Sequence, residues 1–294
     1  MRPILPREYY HDQDRQALEA LKEIPGFTGA LKAFMKVFNE KMMHGLNMSS
    51  KIRLGPEQLP EIYAYLPPIC TALGIEEPEF YLEMDPFPNA YTYGDSQVFI
   101  TVTSGLLEHM EEDEIKAVLA HECGHIACRH VLYHTMASMV IQGGSSLLGL
   151  GLFTIPLQLA LFHWSRCSEF SCDRAAAIYM KGSDPVVDTM IRLAGGKKDL
   201  TDNINSELYL KQADDYLQLI GTSTWNKTLQ YLVLMNRSHP FSSVRAAEIT
   251  KWCDTEYFRR LIDYANAEGA VHCRYCGEIF NDEWKFCRKC GQQK

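Results

Sequence analysis

Three side chains within five residues, His121, Glu122 and His125, have the spacing His-Glu-x-x-His inside the stretch VLAHECGHIACRH, Val118–His130. On a helix, positions i and i+4 lie one above the other on one face. The imidazoles of His121 and His125 can therefore grip one ion. Glu122, beside the first histidine, reaches a water held on that ion rather than the ion itself. A zinc ion lowers the pKa of such a water to about 7, and a neighbouring carboxylate can take its proton. The same residues also suit a buried helix whose histidines are satisfied by hydrogen bonds. His130 follows His125 by five positions, off this face; it reads as a solvent-facing or helix-end histidine.

A catalytic zinc takes three protein ligands and keeps one position open. The stretch SRCSEFSCDRAA, Ser165–Ala176, offers Glu169 as an oxygen ligand. Asp173, one turn further on, can accept the free ring N–H of a ligand histidine and fix its tautomer. A second constellation lies at the C-terminal end. CRYCGE and CRKCGQ place Cys273, Cys276, Cys287 and Cys290 in two matching knuckles, each followed by glycine, which suits a tight turn. Four thiolates predict a closed, structural zinc site, and a segment this short folds only around its metal.

These sites need elements to position them. Helices are expected at Asp14–Glu23, Thr28–His44, Pro56–Leu73, from Glu111 beyond His134, and at Ser165–Lys181, Pro185–Ala194, Ser206–Ile220, Thr224–Asn236 and Ser243–Ala267. The EEDE run puts four carboxylates at the positive end of the Glu111 helix. Short strands are expected at Met48–Leu54, Glu79–Met84 and Gln97–Thr103, with Asn89–Gly94 between the last two. The fold class is therefore mainly helical α+β with a small antiparallel sheet and a C-terminal four-cysteine zinc ribbon. The expected divisions are an N-terminal helical segment (1–53) packed on a catalytic domain (54–268), then the ribbon (269–294).

The blocks NAYTYGDSQVFITVTSGLLEHMEEDEIKAVLAHECGHIACRH, SRCSEFSCDRAA and SHPFSSVRAAEI occur in this order. Together they resemble peptidase family M48, the HtpX-like and CAAX-prenyl-protease-like gluzincins, over roughly Leu54 to Ala267. The resemblance implies a gluzincin fold, a catalytic zinc on His121, His125 and Glu169, Glu122 as general base, and a polypeptide substrate. It also implies that Asn89–Tyr93 forms the edge of the active-site sheet, where an extended substrate could add as a strand, with Asn89, Ala90 and Tyr91 as substrate-binding residues. Pro240 biases His239 away from helix, and Ser242 or Ser243 can cap the helix that follows. The resemblance puts His239 over the zinc cleft with Arg245 nearby. There His239 would either donate to the oxyanion or occupy the open zinc position.

The chain of 294 residues suffices for one large domain and an appendage. With 29 basic against 37 acidic residues, a nucleic-acid partner is not expected. The N-terminal residues lack the apolar core of a secretory signal. Ten cysteines then point to a reducing compartment, the cytoplasm, where thiols bind metal or pack as small hydrophobes.

Thr135 to Ser165 has no charged residue. Because His125 and Glu169 flank it and must meet at one ion, it would have to cross a membrane an even number of times. Two crossings need about 40 residues, so a full span is excluded. A buried hairpin turning at Gly143-Gly144, a lid, or peripheral membrane contact through 141–164 remain. The ribbon suits a protein partner or a structural tail. Two other functions stay open on residue types alone: a catalytically silent zinc chaperone or adaptor, against which Glu122 counts, and a zinc hydrolase of non-peptide bonds.

Overall fold

The computed structural model describes residues 2–38, 40–141, 155–221 and 242–266, and, of the C-terminal module, 271–273, 275–276, 278–280 and 284–293. The expected helix at Thr224–Asn236, the Gly143-Gly144 turn and His239 lie outside these residues.

Helix α1 (Asp12–Glu23) is capped by His11, whose Nδ1 accepts the Gln13 N–H. Gly26, at φ 93°, breaks the chain at Ile24-Pro25-Gly26 and caps α2 (Phe27–Val37). The expected single helix over Thr28–His44 is two, because the chain leaves the helix at Phe38 and resumes as α3 (Glu40–Ser50). Ser49 and Ser50 both hydrogen-bond back to the Leu46 carbonyl. Helix thus takes Met48, Ser49 and Ser50 from the segment expected as a strand, leaving β1 (Ile52–Arg53). The Pro56–Leu73 helix is likewise two shorter ones, α4 (Pro60–Tyr63) and α5 (Leu66–Leu73). Each opens with a proline in its first turn, where the missing N–H costs nothing.

Strands β2 (Glu79–Glu83), β3 (Ala90–Tyr93) and β4 (Phe99–Thr103) complete a sheet of order β1-β2-β4-β3. Its pairing corrects the expected purely antiparallel sheet: β2 and β4 run parallel, in register Glu79↔Phe99. The Pro86-Phe87-Pro88 connection carries the chain across, so that β3 returns on the outside and β4 folds back between β3 and β2. β3 is left at the edge.

Helix α6 (Ser104–His109) leads to α7 (Glu112–Ala127), which opens in a capping box between Glu111 and Glu114. The helix does not run through His134 as expected. Arg129 adopts a left-handed backbone at φ 59°, His130 turns inward, and α8 (Val131–Ile141) starts afresh. The long α9 (Ile155–Met180) follows, then α10 (Asp184–Gly195), α11 (Lys198–Thr201) and α12 (Ser206–Gly221). The last expected helix is broken at Asp254-Thr255 into α13 (Ser242–Cys253) and α14 (Glu256–Asn266), because Thr255 Oγ1 caps the second by accepting the Phe258 N–H. A hairpin of β5 (Val271–His272) and β6 (Ile279–Phe280) belongs to the cysteine module.

Two cores meet along α9. One joins α5, the sheet, α7, the C-terminal half of α9, α10, α13 and α14 around Ile100, Leu119, Ala175 and Leu261. The other joins α1, α2, α8 and the start of α9, where Leu21, Phe34, Met136, Leu161 and Trp164 are fully buried. The described part of the uncharged stretch therefore buries its apolar face on the N-terminal helices. Among the described residues, no helix is long and apolar enough to cross a membrane.

Candidate metal centre and active-site cleft

Helices α7 and α9 pack closely at Gly124. A Cβ there would lie 2.9 Å from Ala175 Cβ and 3.0 Å from Cys172 Cα, so glycine sets the spacing of the two helices. At that spacing Glu169 faces both histidines. Its Oε2 is 3.4 Å from His121 Nε2 and its Oε1 is 3.4 Å from His125 Nε2. On the far side of the His121 ring, Nδ1 lies 3.0 Å from Asp173 Oδ1, so the ring N–H can be donated to that carboxylate, leaving Nε2 turned to Glu169.

Arg245, from α13, closes the group. Its Nε and Nη2 donate to Asp173 Oδ2 and Oδ1 at 2.8 and 2.5 Å, and Nη1 lies 3.0 Å from Glu169 Oε2. Glu122, Glu169 and Asp173 are 2%, 1% and 1% exposed and Arg245 is 6% exposed, too dry for water to screen their charges. Burial disfavours charge on His121, but its hydrogen bonds to the Asp173 and Glu169 carboxylates outweigh it and raise the ring to about 9. Burial prevails at His125 and lowers it. Burial alone would raise Asp173, yet the Arg245 guanidinium overrides it and holds the carboxyl below its ordinary value.

This donor set fits a zinc ion. Bonds of about 2.0–2.2 Å at tetrahedral angles put ligand atoms roughly 3.4 Å apart, which is the separation of each Nε2 from its Glu169 oxygen. A dication that displaces the His121 proton leaves two neutral imidazoles, and its charge with that of the Arg245 guanidinium then balances the three buried carboxylates. The Cys172 sulfur also lies within 4.8 Å of a nitrogen of each histidine. It sits 3.6 Å from His130 Nδ1, however, and the paired Glu169 contacts make the carboxylate the better third donor.

Glu122 points to the sheet. Its Oε2 accepts the hydroxyl hydrogen of Thr92, on β3, at 2.6 Å. Sequence reasoning placed Thr92 in the edge strand but missed its contact with Glu122, although strand alternation could have found it: Ala90 and Thr92 are buried toward α7, and Tyr91 and Tyr93 alternate with them. Tyr91 faces away, donating its phenol to Glu83 and accepting from Lys51. Asn89 and Ala90 line a mostly apolar cleft that runs from Glu122 and His121 past Val118, Val186 and Met190.

Behind the site, His130 lies in the turn between α7 and α8 and is fully buried, which corrects its solvent-facing reading. Its Nε2 lies 3.0 Å from Asp14 Oδ2, and that carboxylate also accepts from Trp164 Nε1 at 3.0 Å and Ser171 Oγ at 2.5 Å. Cys123, Cys128, Cys167 and Cys172 are buried free thiols on the two helices, as expected of packing residues.

In the C-terminal module the sulfurs of Cys273 and Cys290, and of Cys276 and Cys287, are 3.5 Å apart. All four can meet at one point. Gly291, at φ 75°, makes the turn of the second knuckle.

Residues 57–253 match the profile of peptidase family M48. The chain is 31% identical to the plastoglobule-localized metallopeptidase 48, chloroplastic, of Arabidopsis thaliana over 90% of this chain and 77% of that one. It is 29% identical to the protease HtpX homolog of a Sulfurihydrogenibium species over 41% of each chain. With the Persephonella marina HtpX homolog it shares 32% identity over 42% of each. The matches thus span well under half of these two bacterial relatives. No solved structure matches significantly. The chain belongs to peptidase family M48. It is a zinc metalloprotease.

Proposed function

We propose that His121, His125 and Glu169 hold the catalytic zinc and that Glu122 is the general base of peptide-bond hydrolysis. The convergence of two Nε2 atoms on the two oxygens of Glu169 carries this reading. When bound, zinc supplies a Lewis acid that polarises the substrate carbonyl and acidifies water. Glu122 takes a proton from the attacking water and passes it to the departing amine. Asp173 keeps His121 in one tautomer, and Arg245 holds Asp173 and Glu169 in place. His239 is assigned to the same cleft, as oxyanion donor or as a blocking ligand, on the family resemblance.

An extended polypeptide adds along β3 by backbone pairing. The apolar cleft beside it favours an uncharged, apolar substrate side chain next to the scissile bond. Cys273, Cys276, Cys287 and Cys290 hold a second, structural zinc in a ribbon that recruits a protein partner or substrate. The 54–268 segment is the catalytic domain, with 1–53 packed on it. Protein quality control or processing is the cellular role proposed, in the cytoplasm, with peripheral membrane contact through 141–164.

Casein cleavage with and without a chelator tests the activity, and metal analysis tests the sites. Chelator-sensitive cleavage and two zinc ions per chain are expected. Cleavage that survives complete metal removal would refute the mechanism.

A further inference from the structure

The hydroxyl of Thr92 has one hydrogen to give. It lies 2.6 Å from Glu122 Oε2 and 3.4 Å from the Glu122 carbonyl, so the carboxylate receives it. Both residues are buried, where a hydrogen bond to a charged oxygen is strong and directional. The backbone of the same residue is placed for another task. The Thr103 N–H donates to the Asn89 carbonyl at 3.0 Å, and Ala90 pairs with Val102, Tyr91 with Thr101 and Thr92 with Ile100. Hydrogen-bonded and non-hydrogen-bonded pairs alternate along an antiparallel ladder. Asn89, Tyr91 and Tyr93 therefore spend their backbone groups on β4. Ala90 and Thr92 aim theirs away from β4, at the edge of the sheet.

We infer that Thr92 is a positioning residue: its hydroxyl fixes the Glu122 carboxylate, and its backbone offers the docking edge to an extended substrate. This rests on the reading of Glu122 as the base. One residue thereby sets the base in register with the peptide bond to be cut. The hydroxyl occupies one carboxylate oxygen and leaves the other to receive the proton of water. A threonine suits both tasks, since its branched side chain favours the strand and its hydroxyl reaches the helix.

The test uses the full-length, zinc-loaded chain with Thr92→Val, which keeps shape and loses the donor, and Thr92→Ser, which keeps the donor. Two quantities are read: kcat and KM on a peptide whose cleavage is chelator-sensitive, and the affinity of acetohydroxamate by calorimetry. A hydroxamate gives its proton to the base as it chelates the metal, so its affinity reports the base without turnover. Thr92→Val should lower kcat about 10- to 100-fold with KM within twofold, and weaken acetohydroxamate by a similar factor. Thr92→Ser should restore most of both at unchanged zinc content. A Val variant with wild-type kcat and hydroxamate affinity would overturn the inference. So would a Ser variant as impaired as Val, because packing alone would then be at stake. A wild-type chain that loads zinc but neither cleaves peptide nor binds the hydroxamate would instead strike the reading of Glu122 itself.

Discussion

Arg245 grips Asp173 with two parallel N–H groups, at 2.8 and 2.5 Å, while its third nitrogen rests 3.0 Å from Glu169. Asp173 and Glu169 stand one turn apart on α9, so a single guanidinium balances both carboxylates that face His121. Arg245→Met should leave two buried carboxylates short of a partner and destabilise the protein by about 3 kcal/mol. Arg245→Lys should recover little, since an ammonium cannot reproduce the paired geometry. Urea unfolding with and without added zinc checks this. The loss should be larger without zinc, because the dication takes over part of the charge balance.

Gly124 spaces the helices that carry the two halves of the proposed ligand set. Gly124→Ala forces a methyl to within 2.9 Å of Ala175 Cβ and 3.0 Å of Cys172 Cα. Overpacking of this kind costs about 1–3 kcal/mol, and the shift moves Glu169 away from His121 and His125. Zinc affinity should fall along with stability. Ala175→Gly in the same chain should recover only part of both, as the Cys172 backbone contact remains.

The residues of the proposed ligand set are legible in the sequence because their information is local. The i, i+4 spacing in HECGH, the repeat of that spacing at Glu169 and Asp173, and the cap at Glu111 each sit within one or two turns. The place of Thr92 in the edge strand is legible in NAYTY, and its inward face follows from the alternation there, but its pairing with Glu122 depends on how α7 packs on the sheet. The parallel pairing of β2 with β4 was not legible, because strand order depends on where the Pro86–Pro88 connection sends the chain. The burial of His130 was hidden for a similar reason. Its partner Asp14 lies on α1, far away in sequence, and nothing near either residue announces the other.

Asp14 itself offers the strongest test of how the N-terminal helices contribute. It accepts hydrogen bonds from Trp164 and Ser171 and meets His130, all buried. Asp14→Ala strands these groups without an acceptor and should cost about 3 kcal/mol in denaturant unfolding. Asp14→Asn should recover part, since one oxygen can still accept from Trp164. A variant with wild-type stability would show that the network contributes nothing.

The ribbon should be separable from catalysis. Cys276→Ser removes one of four converging thiols, and the module, too small to fold without metal, should lose its zinc and its protection from proteolysis. Hydrolysis of a short peptide should stay near wild type, whereas cleavage of an unfolded protein should drop if the ribbon recruits substrate. Collapse of short-peptide hydrolysis would show that the ribbon supports the active site.

Glu122→Gln isolates the central claim, because it changes one carboxylate oxygen to an amide and leaves His121, His125 and Glu169 intact. Zinc content and casein cleavage are measured on the same preparation, with Glu169→Ala as the companion that should lose its active-site zinc. The assignment predicts wild-type zinc occupancy in Glu122→Gln and hydrolysis below a few per cent of wild type, roughly the loss of a 10²–10⁴-fold proton-transfer contribution. A Glu122→Gln protein that retains its zinc and still cleaves casein at a substantial fraction of the wild-type rate would contradict it.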